Sequence, residues 1–175
     1  MEKDWEEIRE LAVEYAEDNI NNRKMNCSES VLDALIRSGA IDAPPEAVAY
    51  ATGFGGGGGG VGFTCGALSS AILANSMVYG RKDPPSAVDR MELKELYYQR
   101  YNNLVSDFVK VAGSGLCREI VNEFPEGYLD EKTRPNCARI VIEAAGIAVD
   151  YLQIDADEAA ELEYDPSVVG TNNWL

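Results

Sequence analysis

The stretch GFGGGGGGVGFTCGALSSAILANSMVYG, from Gly53 to Gly80, decides how the chain folds. With the preceding residues from Ala47 it makes 34 consecutive positions without a charge, a run that raises the question of a membrane span. Six consecutive glycines, Gly55 to Gly60, interrupt it, and the part that follows carries Thr64, Ser69, Ser70, Asn75 and Ser76. A bilayer-spanning helix needs about 20 predominantly apolar residues in a row, so a buried helix is the better reading. Thr64 is the expected cap, and the helix runs from Cys65 to about Tyr79, small or apolar on nearly every face. A helix of that kind belongs in the centre of a bundle.

Outward from this segment the pattern is helical throughout. Trp5, Ile8, Leu11, Ala12, Tyr15, Ala16 and Ile20 recur at three-and-four spacing, opposite Glu6, Glu10, Glu14 and Glu17. Asn26, with Glu29 three residues on, forms a capping-box signature for a helix whose stripe is Cys27, Val31, Leu32 and Leu35 and whose stop is Gly39. Pro44-Pro45 predicts a short helix over Glu46 to Ala51. Asp83-Pro84-Pro85 predicts an exit loop, and Leu93, Tyr97, Tyr101, Leu104, Phe108 and Val111 mark one face of a long helix that Gly113-Ser114-Gly115 breaks. A short helix over Leu116 to Phe124, a loop over Pro125 to Pro135, a helix over Cys137 to Leu152 capped by Asn136, and a last one opened by Asp155 and Glu158 complete the series, before a polar tail ending in Trp174-Leu175. No stretch shows sustained period-two alternation. The expectation is an all-α, compact helical bundle of about six to seven helices around a central uncharged helix, one domain over residues 1–175.

Composition narrows the chemistry. The chain has no histidine, which removes Ser-His-Asp and Cys-His nucleophile pairs, His-ligated zinc and Glu-x-x-His di-iron sites. A net charge of −15 repels phosphate backbones and anionic membranes, so nucleic acid is not an expected partner. After Arg139 there is no basic residue, and eight acids from Glu143 to Asp165 follow, including those of the acidic helix and tail over 155–175. That face is either a solubilising surface or a docking face for a basic redox partner protein. A long uncharged segment in a small bundle leaves room for an apolar patch and a homodimer. The strongly charged start, Met1 to Glu10, does not read as a signal peptide, so the expected location is cytoplasmic.

The four cysteines, Cys27, Cys65, Cys117 and Cys137, are separated by 38, 52 and 20 positions, which matches no ribbon or ferredoxin spacing. Three of them directly follow a candidate cap, Asn26, Thr64 and Asn136, and Cys117 lies close to Ser114. All four therefore fall at expected helix starts, where free N–H groups and the helix dipole lower thiol pKa values. The glycine run contains G-x-G-x-x-G only because it is nearly all glycine. No strand precedes it and no Walker lysine follows, so a phosphate loop is not expected. Gly57, Gly58, Gly59, Gly60 and Gly66 are instead candidate cofactor-binding positions, where bare backbone approaches closely and N–H groups can point at sulfur. The alternative for the run is a linker or a tight helix crossing.

Asn26-Cys27, the glycine run entering Cys65-Gly66-Ala67, Cys117-Arg118 and Cys137 together resemble the redox-active family named for its cysteine pattern, C_GCAxxG_C_C. The likeness covers roughly residues 26–148. It departs in two places: the order Cys65-Gly66 is inverted, and Ser70 stands where the pattern has glycine, which narrows a close helix contact. The resemblance implies a small helical domain in which Cys27, Cys65, Cys117 and Cys137 are redox cysteines. Three mechanisms stay open. The four thiolates hold an iron–sulfur cluster for electron transfer; or Cys65 is the reactive thiolate of a dithiol/disulfide couple without cofactor; or the cysteines are structural, as Zn ligands or in a packed interaction module.

Overall fold

Asp4 accepts a hydrogen bond from the Glu7 N–H and opens α1, Trp5–Asn21, whose Ala12 and Ala16 are fully buried. This computed structural model describes residues 3–82, 94–122, 131 and 133–168. Asn26 caps α2, Cys27–Arg37, with both halves of the expected capping box formed: its side chain accepts from Ser28 and Glu29, and Glu29 accepts from the Asn26 N–H. Gly39, at φ +77°, takes the chain out of that helix.

The segment after Pro44 is a 3₁₀ helix over Pro45–Phe54, longer and tighter than the short helix expected over Glu46 to Ala51. The glycine run follows as a left-handed turn. Gly56 to Gly60 all have positive φ, and the Gly59 and Gly60 N–H groups donate back to the Gly55 carbonyl. Side-chain-bearing residues do not sustain successive left-handed positions, so the run needs glycine.

The uncharged helix is α3, Gly66–Tyr79, which packs between α2 and α6 as a central helix should. Its cap is Cys65 itself; Thr64 does not cap, because it is engaged in a β-bridge to Leu116. A π-helical turn, Lys94–Tyr98, leads into α4, Gln99–Ala112, with Leu104 and Phe108 buried and Gly113 ending it at φ +81°. Helix α5 is the single turn Cys117–Ile120.

Helix α6, Arg134–Leu152, begins three residues before the expected start at Cys137. Pro135 occupies its first turn, where the missing N–H is one that no intrahelical bond would use. Asn136 is therefore inside the helix rather than its cap, and its carboxamide oxygen accepts from Arg139. Asp155 caps α7, Ala156–Ala160, through the Glu158 N–H. Arg100, over the Tyr79 ring, donates to the carbonyls of Tyr151, Ile154 and Asp155 and fixes the end of α6.

Helix α6 touches α1, α2, α3 and α4 and shares the centre with α3, around Leu32, Leu35, Ile140, Val141 and Val149. Among the described residues there is no strand, only the Thr64–Leu116 bridge. No described helix is long and apolar enough to cross a membrane. Asp83-Pro84-Pro85, Leu93, most of the loop before α6 and the Trp174-Leu175 tail lie outside the described residues.

Candidate functional site

Three local devices carry the cysteines. The first is the Asn26 cap, which sets Cys27 as the first residue of α2 and reaches sideways: its Nδ2 donates to the Thr52 carbonyl, while Thr52 Oγ1 donates to Glu29. The end of the 3₁₀ segment is thereby tied to the start of α2.

The second is the Thr64–Leu116 bridge. Around it the Cys65 N–H donates to Gly115 at 2.8 Å, the Cys117 N–H to Phe63 at 2.6 Å, and the Arg118 N–H to Gly62 at 3.0 Å. These bonds hold Cys65 and Cys117 beside the same bridge. The left-handed glycine turn is closed onto the same ladder by the Phe63 N–H donating to Gly57. A Cβ on Gly57 would stand 2.8 Å from Cys117 Cβ, so bare backbone is required there. The third device is the start of α6, where Cys137 N–H donates to Thr133 and Arg134 reaches the Asn21 carbonyl.

These devices converge. Cys27, Cys65, Cys117 and Cys137 all line one cavity of about 770 Å³, with Ile20, Met25, Ile120, Val121, Ile140 and Val141 as apolar wall and Lys24, Asn21, Asn22 and Arg134 also lining it. Cys65 and Cys117 are buried, Cys27 and Cys137 half-buried, and all four are free thiols. Of the glycines singled out from the sequence, Gly59 lines the cavity, together with Gly55 and Gly56. Gly57 backs Cys117 and Gly66 backs Cys27, whereas Gly58 and Gly60 are exposed and do not line it.

A place at a helix start does not lower Cys65, Cys117 or Cys137. Burial pushes Cys65 up to about 12, the neighbouring Cys27 adds to the rise, and the Ala67 and Leu68 N–H groups offset only part of it. Burial likewise pushes Cys137 up to about 11 and raises Cys117, each with a further contribution from Cys27. Desolvation outweighs the helix-start effect because these thiols sit in a largely apolar cavity with other cysteines nearby. Among the described residues, no three Cys, Asp or Glu side chains stand close enough to hold a single metal ion.

The profile of a family described as "Putative redox-active protein (C_GCAxxG_C_C)" matches residues 25–151. The chain belongs to the C_GCAxxG_C_C family. The matched span contains all four cavity cysteines and every segment that positions them, from the Asn26 cap to α6. No curated protein and no solved structure matches the chain. Ser70, the departure from the C_GCAxxG_C_C pattern, is fully buried and shares a 2.7 Å hydrogen bond with Ser28, one residue after Cys27. The added hydroxymethyl group is thus accommodated by a partner on the facing helix.

Lys24 and Arg134 escaped the sequence reading. Their signal was position: Lys24 lies three residues before Cys27, and Arg134 three before Cys137, in a chain with twice as many acids as bases.

Proposed function

We propose that the four cysteines act as one redox centre that holds an iron–sulfur cluster and serves in electron transfer. The observation that carries this reading is the convergence of Cys27, Cys65, Cys117 and Cys137 on one cavity from four separate segments. The donor set fits: four soft sulfurs and, in a chain without histidine, no imidazole. A polynuclear cluster spreads its ligands over several irons, so its four sulfurs need not gather around a single ion. When bound, such a cluster supplies a one-electron couple.

The chain's own residues have three tasks. The Asn26 cap and the Thr64–Leu116 ladder hold the sulfurs in place before anything binds. The apolar wall limits water at the thiols. The raised pKa values of Cys65 and Cys137 keep these two thiols protonated in the empty site, so their loading is accompanied by proton release, as cation binding to thiols requires.

Purification without oxygen followed by iron and acid-labile sulfide determination tests the reading. Both should copurify in comparable amounts with the folded chain; colourless, iron-free protein from iron-replete cells contradicts it. The second reading is a dithiol/disulfide couple, favoured by the placement of Cys65 and Cys117 beside the same β-bridge in one cavity. Two thiols would then yield one disulfide, two protons and two electrons to an oxidant, and thiol counting would fall from four to two on oxidation.

Partners belong to the same proposal. The acidic residues from Asp155 onward follow the far end of α6, about 28 Å from its start by helical rise. A basic redox protein steered there has its association slowed by salt. Exposed Tyr50, Val61 and Phe63 flank the glycine turn and support self-association, which light scattering reads directly.

A further inference from the structure

The residues lining the cavity differ in chemistry with their exposure. Cys65 and Cys117 are its buried members, while Lys24, Arg134, Asn21 and Asn22 are exposed and mark its solvent side. Its volume of about 770 Å³ lies in the range of small-molecule sites, roughly 300 to 1,000 Å³.

Charge at the mouth is opposite to that of the rest of the molecule. Arg9, Arg23, Arg37 and Lys110 each pair with a carboxylate. Neither Lys24 nor Arg134 forms an ion pair with a described residue, and no described Asp or Glu lines the cavity. In a chain of net charge −15, two cations without a described carboxylate partner thus stand over an apolar recess, where low-dielectric walls strengthen their field. Lys24 also has the only non-glycine positive φ among the described residues, +57°. Such a conformation is disfavoured for a lysine, and it is held at the turn between α1 and α2 that forms the cavity mouth.

We infer that the outer part of the cavity binds a small, largely apolar organic anion, held over the cysteines by Lys24 and Arg134. The inference rests on the cavity being the functional site, as proposed above. Lys24 and Arg134 would hold the anionic group, the Asn21 carboxamide lies beside them, and Ile20 and Met25 cover the apolar part. The occupant is thus a substrate or electron acceptor of anionic, apolar character.

Two fluorescent probes of similar shape separate charge from apolar contact: anionic anilinonaphthalene sulfonate and uncharged N-phenylnaphthylamine. Each is titrated into the full chain purified without oxygen, with the visible spectrum recorded on the same sample. In the Lys24→Gln/Arg134→Gln variant the anionic probe should bind at least about tenfold more weakly and the neutral probe within about twofold of the parent. Lys24→Arg should retain binding, as should Lys82→Gln, which removes a cation that does not line the cavity. Unchanged binding of the anionic probe in the double variant, or equal loss of both probes, overturns the inference. A colourless protein that still shows the charge-selective loss removes the cluster and leaves the anion site. A coloured protein without that loss does the reverse.

Discussion

The sulfur of Cys27 lies against Gly66: a methyl carbon added at Gly66 would stand 2.7 Å from Cys27 Sγ and 2.8 Å from the Phe54 carbonyl oxygen. The first residue of α2 and the first residue of α3 are therefore in contact through a position that only hydrogen fits. This contact is what allows a thiol on one helix start to share a cavity with the thiol preceding another.

Gly66→Ala should consequently destabilise the protein, by about 1–3 kcal/mol for an overpacked site. Helix propensity alone would give a gain of about 1 kcal/mol, so the sign of the change is diagnostic. Gly53→Ala, where an added carbon has open space within 4 Å, should stay within about 0.5 kcal/mol of the parent. Urea denaturation of both variants checks this, and a stabilised Gly66→Ala contradicts the packing described.

Ser28 and Ser70 form a buried hydroxyl pair between α2 and α3. Replacing either by alanine strands the other hydroxyl and should cost about 1–3 kcal/mol. The double replacement should cost less than the sum of the two, with a coupling on the order of 1 kcal/mol. Additive losses in a double-mutant cycle would mean that the pair contributes nothing as a pair.

Thiol reactivity follows from burial. With Cys65 pushed up to about 12 and Cys137 up to about 11, both are protonated in the folded, metal-free protein at neutral pH. Their alkylation by iodoacetamide at mildly alkaline pH should be at least about tenfold slower than that of a free thiol, since only the thiolate reacts. The sign is fixed by the raised values: protection is present below the ordinary thiol pKa and is lost as pH rises through about 11 to 12. Mass-spectrometric mapping of alkylated sites reads each cysteine separately, and faster-than-free reaction at Cys65 would restore it as an activated nucleophile.

The sequence made some of this legible and hid the rest for identifiable reasons. The Asn26 and Glu29 capping box depends on residues three apart, so it could be read without tertiary information, and α2 starts where expected. Thr64 carried an equally good cap signal, yet it lies in a bridge with Leu116, 52 residues away, held by bonds between its neighbours and Gly115 and Cys117, and Cys65 becomes the cap. Asn136 lost its role to Pro135, which fits one turn earlier than the apolar stripe suggested. The glycine run advertised positive φ; that it forms a left-handed turn closed onto Phe63 depends on hydrogen bonds no local pattern encodes. Convergence of the four cysteines was the least legible feature, because spacings of 38, 52 and 20 residues carry no periodicity. The expectation of lowered thiol pKa values failed at Cys65, Cys117 and Cys137 because burial, absent from the sequence, exceeds the helix-start effect.

The visible spectrum of the oxygen-free protein and of four single variants, Cys27→Ser, Cys65→Ser, Cys117→Ser and Cys137→Ser, tests the central claim most directly. If the four thiols form one cluster-holding centre, the parent shows broad charge-transfer absorption that reduction by dithionite bleaches, and every variant loses or alters it. A parent without colour, or full retention of the parent's spectrum in any one variant, would contradict the account.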